Sequence, residues 1–306
     1  MLDTVGIKHF YQSLICDDFQ RHWHYLSKAR NPTWTLNAKG SEALPNLTMI
    51  QTPNGIWHLS AEVSLPKMLF GHNARLPNQV EVFEGLEMIS QYVEATSGLH
   101  FGAKTATVSR VDFAKDFYLS EAKVFQVIKK LSDKILPRMD KLLYNDSTLY
   151  FKAKTRQIRI YGKFREVLSR KYSKPENIKI AKGILRFEHC LLKNYAIDSI
   201  VKELSLPDKT TQSLLTQDVS DFVMSKVFES LNFYELVTND KTNLENLLEN
   251  FPTRKAMNLC GFLEMLKLRG ELSYKDESLG FSKDSYFRDA KDCRKAKVWK
   301  QSKSLE

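Results

Sequence analysis

Arg156-Gln157-Ile158-Arg159-Ile160-Tyr161-Gly162-Lys163-Phe164-Arg165-Glu166 is the stretch on which the fold turns. Strand side chains alternate between faces, so residues 156–163 read as a β-strand with Ile158 and Ile160 turned into a core. Gln157, Arg159, Tyr161 and Lys163 then share the other face. A tyrosyl oxygen set among cations suits a polyanion and is a candidate nucleophile for phosphodiester transfer. Tyrosine is also a common strand residue, so the pattern alone favours a half-exposed side chain among solvated bases. The flanking sequence decides between them.

Charge is concentrated around this strand. Between residues 152 and 188 there are twelve Lys or Arg against three Glu. That imbalance is the footprint of a protein that meets a phosphate backbone. The whole chain, 306 residues with a net charge of +10, carries the same sign. Nucleic acid is favoured over an acidic membrane, because no basic amphipathic stretch is long and clean enough for a bilayer surface. No apolar run approaches the roughly 18 to 20 residues of a membrane span. A 42% hydrophobic share with 11% aromatics is that of a folded chain rather than a disordered one.

Cys16, Cys190, Cys260 and Cys293 are far apart, with no CxxC pair for zinc or redox work, and read as ordinary thiols in a reducing compartment. Met1-Leu2-Asp3-Thr4 has neither the charged start nor the apolar run of a signal peptide, so a cytoplasmic location is expected.

Working outward, residues 47–51 and 56–64 flank Thr52-Pro53-Asn54-Gly55, a turn sequence that predicts a hairpin. Residues 84–97 have helical spacing and stop at Gly98, a natural C-cap. Residues 105–113 read as a strand, and Ser120 as the N-cap of a helix through residue 134. A polar linker, 169–182, precedes a strand at 183–192. From residue 194 onward helical patterns take over, at 218–231, 243–250, 253–269 and 282–297. The expected fold is α+β: a mixed-sheet core over residues 1–195, then a helical region over 196–306.

Two more strands carry an arginine and a carboxylate two residues apart, hence on one face: Arg110-Val111-Asp112 and Arg186-Phe187-Glu188. Either alone fits a surface salt bridge. Beside Tyr161, Asp112 and Glu188 become candidate ligands for a hard divalent cation such as Mg²⁺ or Mn²⁺. Arg110 and Arg186 would keep the acids ionised and bind phosphate oxygens. Gly71-His72-Asn73 follows a strand, and His72 is a weaker candidate for a third ligand. His22-Trp23-His24 imitates a metal-binding triplet but follows a polar stretch without strand alternation, and is left out of the site. Arg156 and Arg159 are candidate DNA contacts. So are Lys283 and Arg288, in a basic helix after Gly280 and Ser282 that fits a helix-turn-helix within residues 253–300.

In order, Glu62-Val63-Ser64-Leu65-Pro66-Lys67-Met68-Leu69-Phe70-Gly71-His72-Asn73, Ala106-Thr107-Val108-Ser109-Arg110-Val111-Asp112, Ile160-Tyr161-Gly162-Lys163 and Gly183-Ile184-Leu185-Arg186-Phe187-Glu188 resemble the gene II / gene X replication initiation proteins of filamentous phages and related plasmids. The resemblance spans residues 45–195, and the C-terminal helices are similar to the family's tail. It implies a rolling-circle initiator with a nuclease core, a site-specific endonuclease and strand transferase at the plus origin. Tyr161 would attack the plus strand, leaving a 5′-phosphotyrosyl link and a free 3′-hydroxyl for a host polymerase, with a host helicase as a further partner. Lys163 would stabilise the phenolate. Tyr161-Gly162-Lys163 also resembles the Tyr-Asp-Lys run of rolling-circle plasmid initiators, with Gly162 departing from the usual acidic or amide residue. The rival reading is a non-catalytic origin-binding regulator using the same basic surface.

Overall fold

The computed structural model describes residues 1–12, 23–25, 31–36, 43–170, 174–233, 243–269 and 283–296. Its centre is one ten-stranded sheet: β1 (Leu2–Tyr11), β2 (His24–Tyr25), β3 (Thr33–Leu36), β4 (Asn46–Gln51), β5 (Trp57–Ser64), β6 (Thr107–Tyr118), β7 (Asp140–Tyr144), β8 (Thr148–Lys152), β9 (Arg156–Gly162) and β10 (Ile184–Leu191). The strand order is β2-β3-β4-β5-β1-β6-β10-β9-β8-β7. Every ladder in it is antiparallel, which corrects the expectation of a mixed sheet. The connections explain this. Neighbours such as β4 and β5 are joined by a tight turn, and antiparallel strands need no long crossover.

Local sequence sets the helices. In α1 (Leu65–Phe70) and α2 (Gln79–Ser97) the C-terminal ends are Gly71 and Gly98, both left-handed. A capping box between Asn78 and Glu81 starts α2 earlier than residue 84, because the box satisfies two otherwise orphaned N–H groups. Ser120 caps α3 (Glu121–Ser132), as its position predicts. The expected linker after residue 169 contains a helix. After α4 (Lys163–Leu168) comes α5 (Pro175–Ala181), whose Pro175 sits at its first turn, where a missing N–H costs nothing.

Three further helices follow β10: α6 (Asn194–Glu203), α7 (Thr211–Leu214) and α8 (Gln217–Ser230). They pack on the sheet. Phe117, Phe187, Phe228 and Phe233 form a cluster of rings with centroids 4.7–5.7 Å apart, joining β6 and β10 to α8. Contacts therefore divide the chain after Phe233 into Met1–Phe233 and Tyr234–Glu306, whereas the sequence pattern suggests a division near residue 195. The difference has a physical reason: the first three helices of the helical stretch complete the sheet's core. In the second unit α9 (Asn243–Asn250), α10 (Thr253–Arg269) and α11 (Lys283–Lys295) share a core of Leu247, Ala256, Leu259, Phe262, Leu263, Ala290, Cys293 and Ala296. The turn of the expected helix-turn-helix lies outside the described residues.

One turn carries an unusually firm constraint. Gly183 has φ of +75°, and a Cβ there would sit 2.3 Å from the Leu119 carbonyl oxygen. That approach lets the Leu119 amide donate a hydrogen bond to the Gly183 carbonyl at 2.7 Å, closing the end of the β6–β10 ladder. Gly183→Ala is expected to lower stability by about 2–4 kcal/mol, read as a reduced urea midpoint; an unchanged midpoint would contradict the close approach.

Candidate active site

The ladders of β6, β10 and β9 put the polar residues in rows. Asp116, Arg186 and Tyr161 are opposite one another, Ala114 faces Glu188 and Glu188 faces Arg159, and Asp112, Cys190 and Gln157 complete the third row. Alternation turns these side chains to one face, while Phe187, Ile158 and Ile160 fill the other. Ile158 and Ile160 are buried, as the sequence predicts.

Tyr161 differs from the expectation in its surroundings. It is 6% exposed and not a solvated side chain among bases. Its hydroxyl donates to Glu188 Oε1 at 2.5 Å and accepts from Lys163 Nζ at 3.5 Å. Lys163 is not a strand residue. The chain leaves β9 at Gly162 and Lys163 opens α4, from which its side chain returns to the tyrosine and meets Glu166 at 3.0 Å. Gly162 has a steric reason to lack a side chain, since a Cβ there would stand 3.1 Å from Val124 of α3.

Arg159 is the hub of the network. One guanidinium nitrogen lies 3.1 Å from both Asp112 Oδ2 and Cys190 Sγ, and the other lies 3.3 Å from Glu188 Oε2. Arg110 holds Asp112 through two bonds of 3.1 and 2.9 Å and reaches Glu62 at 2.6 Å. The intra-strand pair Arg110–Asp112 thus forms as the spacing implies. Arg186 and Glu188 do not pair. Arg186 is fully buried, grips Asp116 bidentately at 2.7 and 2.8 Å, and donates to the Asn73 carbonyl at 2.8 Å. With those partners it is structural, which corrects its assignment as a DNA contact.

Burial governs the titration of the cluster. It pushes the Tyr161 phenol well above its ordinary value, and the Glu188 carboxylate pushes the same way. Burial, then Asp3, raises Glu188 to about 7, against the pull of Arg159. Burial and Arg186 lower Lys163 to about 8, opposed by Glu166. At rest the phenol is therefore protonated, with a carboxylate of unusually high affinity for protons directly against it. On the opposite face, burial and Arg156 hold His189 at about 4, so that imidazole is neutral.

Asp112, Glu188 and Cys190 each bring one ligand atom within 4.8 Å of the others, a buried group that could hold a metal ion. Glu188 Oε2 is buried and accepts no hydrogen bond, its contact with the Arg159 guanidinium at 3.3 Å being an ion pair only. Two carboxylates fit a hard divalent ion, while burial and Asp112 keep the Cys190 thiol protonated and a poor ligand. His72 is not part of the group. Its Nδ1 accepts from the Ala74 amide at 3.2 Å, which corrects its reading as a third ligand.

Asp3, Ser64 and Asn73 join Arg159, Tyr161 and Glu188 around a cleft of about 320 Å³. Asp3 is not legible as a site residue in the sequence. Register shifts in β1 between Leu2 and Val5, and both Asp3 and Thr4 border the cleft. A polar residue inside Leu2-Asp3-Thr4-Val5 is the only local signal. Asp116, the partner of Arg186, escapes sequence reading for the same reason: its role depends on which strand lies alongside. In the other unit Arg288 is exposed beside Asp289, and of Lys283 only its place at the start of α11 is described. Arg156 is exposed at the start of β9. The triplet residue Trp23 is buried and His24 lies in the two-residue edge strand β2, while His22 falls outside the described residues.

These features define a basic α+β protein with a tyrosine–carboxylate–arginine network beneath a cleft on an antiparallel sheet. The model of a family described as the N-terminal part of the phage replication-associated gene II protein matches residues 16–213. The chain belongs to this filamentous phage gene II replication initiator family. The matched segment contains Asp112, Tyr161, Lys163 and Glu188. No curated protein matches the chain. It is a phage replication-associated protein, and none of its described helices is long and apolar enough to cross a membrane.

Proposed function

We propose that the protein initiates rolling-circle replication by nicking the plus strand of a phage or plasmid origin in the host cytoplasm, through a 5′-phosphotyrosyl intermediate on Tyr161. The observation that carries this reading is the 2.5 Å hydrogen bond from the Tyr161 hydroxyl to Glu188 beneath an open cleft. Covalent catalysis suits the task because the tyrosyl ester keeps the phosphodiester energy for rejoining.

The steps follow from the partners of the phenol. Tyr161 Oη forms a bond to phosphorus as the bond to the 3′-oxygen breaks, and the phenolic proton passes to Glu188 Oε1. The departing 3′-oxygen takes a proton from solvent and becomes the 3′-hydroxyl from which a host polymerase extends, with a host helicase opening the duplex. Lys163 and Arg159 stabilise negative charge at the phenol and the phosphate. Burial of Tyr161 and Lys163 makes their interaction stronger than it would be in water. Asp112 and Glu188 Oε2 would hold Mg²⁺ or Mn²⁺, which when bound withdraws charge from the phosphate. Arg110 and Arg159, with Lys283 and Arg288 of the helical unit, supply cations for the DNA backbone. Arg159 already spans the acid group, so it is positioned to exchange a carboxylate for a phosphate oxygen as DNA enters.

Incubation with supercoiled plasmid carrying the cognate origin and Mg²⁺ tests the class. Open circles with protein joined to the 5′ end are expected; intact circles, or nicks with free 5′ ends, would contradict it. The pH profile tests the roles. Lys163 must be protonated to offset the phenolate, so kcat/KM should fall through about 8. Lys163→Met should remove the alkaline fall, and a flat profile from about pH 6 to about pH 9 would refute this assignment.

A further inference from the structure

A second cavity, of about 500 Å³, opens on the face of the sheet opposite Tyr161, between β9, β10, α6, α8 and the segment after α3. Its volume is in the range of small-molecule sites. His189 lies on its lining, next in sequence to Glu188 but turned to the other side by strand alternation. The imidazole is 8% exposed, and neither ring nitrogen has a hydrogen-bond partner within the protein. A neutral imidazole left this way forfeits one donor and one acceptor, an arrangement that natural cores seldom keep without a reason.

The remaining walls show what would satisfy it. Leu191 and Val227 are buried and apolar, whereas the exposed ring of Tyr195 borders the opening. Arg138 and Arg156 border it too, and both are exposed. Arg138 adopts φ of +61°, a conformation rare for a residue with a side chain. Backbone of that kind costs energy and recurs where a side chain is held for binding.

We propose that this cavity binds a nucleoside phosphate, its base against the apolar wall and hydrogen-bonded to His189, its phosphate on Arg138 and Arg156. A base carries both donor and acceptor atoms on its edge, and one of these can meet an imidazole nitrogen that the protein leaves unpartnered. A phosphate offers the geometry that a guanidinium grips bidentately. An exposed tyrosine at the mouth supplies a stacking surface for a base. The same chemistry comes either as a free nucleotide or as one residue of a single strand.

Calorimetric titration of the full chain with dAMP, and separately with a short single-stranded oligonucleotide, distinguishes the two sources. Saturable dAMP binding that weakens about tenfold in His189→Leu and in Ser199→Trp supports the free nucleotide. Ser199 is exposed and borders the cavity, so a tryptophan there fills it without entering the core. Oligonucleotide binding without dAMP binding, weakened by both variants, supports a strand residue in the same cavity. No binding of either probe, or binding that both variants leave unchanged, overturns the proposal. His189→Leu should keep or raise the denaturation midpoint, since it removes two buried unpaired atoms; a large fall would mark His189 as structural and overturn its role as a ligand group. Should that variant fail to fold, Ser199→Trp alone decides. Because no strand cleavage is read, failure here leaves the assignment of Tyr161 untouched.

Discussion

Tyr161→Phe is expected to abolish nicking and the protein–DNA adduct, a loss of roughly 10⁴-fold or more, while origin binding stays close to that of the parent protein. The size of the effect follows from chemistry. Phenylalanine keeps the buried ring in place but has no oxygen to bond to phosphorus, and no neighbouring group can substitute from the same position. Stability should change little, because the variant loses one net hydrogen bond, worth about 1 kcal/mol, and relieves Glu188 of a partner it can replace with water from the cleft. Residual nicking with an adduct of normal yield would eliminate Tyr161 as the nucleophile. Loss of origin binding along with nicking would instead point to a role in holding the strand.

The second large effect falls on folding. Arg186→Met should destabilise the protein by about 3–5 kcal/mol, because the buried Asp116 carboxylate then loses both hydrogen bonds of its bidentate partner. The Asn73 carbonyl loses its donor as well, which loosens the turn after α1 at the edge of the cleft. Equilibrium denaturation measures the change. An arginine that served to bind phosphate would behave differently: stability would hold, and the salt dependence of DNA binding would fall by about one counterion. That pattern would contradict the burial seen for this side chain.

How far the sequence can be read depends on whether the signal is local. The Thr52-Pro53-Asn54-Gly55 hairpin, the Gly98 stop and the Ser120 cap are written in adjacent residues, and each is present as expected. The shared face of Arg159 and Tyr161 is legible because alternation is a local rule. Its continuation to Lys163 is not. The strand ends at Gly162, and the lysine reaches the tyrosine from a helix instead. Pairings between distant strands carry no local signal. The sequence sets Arg186 beside Glu188, two residues away, but the register of β6 against β10 gives it Asp116, and Arg159 crosses from β9 to take Glu188. The irregular register of β1 that brings Asp3 to the cleft is equally silent in a single sequence. His72 fails for a related reason: its turn folds the imidazole onto the Ala74 amide, so a chemically suitable residue is engaged locally.

Trypsin cleaves after arginine and lysine, so the peptide Ile160-Tyr161-Gly162-Lys163 isolates the proposed nucleophile from every other tyrosine. The decisive measurement is mass spectrometry of that peptide after reaction with origin DNA, Mg²⁺ and nuclease trimming. A nucleotide joined through its 5′-phosphate to Tyr161, and absent in Tyr161→Phe, is the predicted result. An adduct carried by any other residue, or nicked origin with the peptide unmodified throughout, would contradict it.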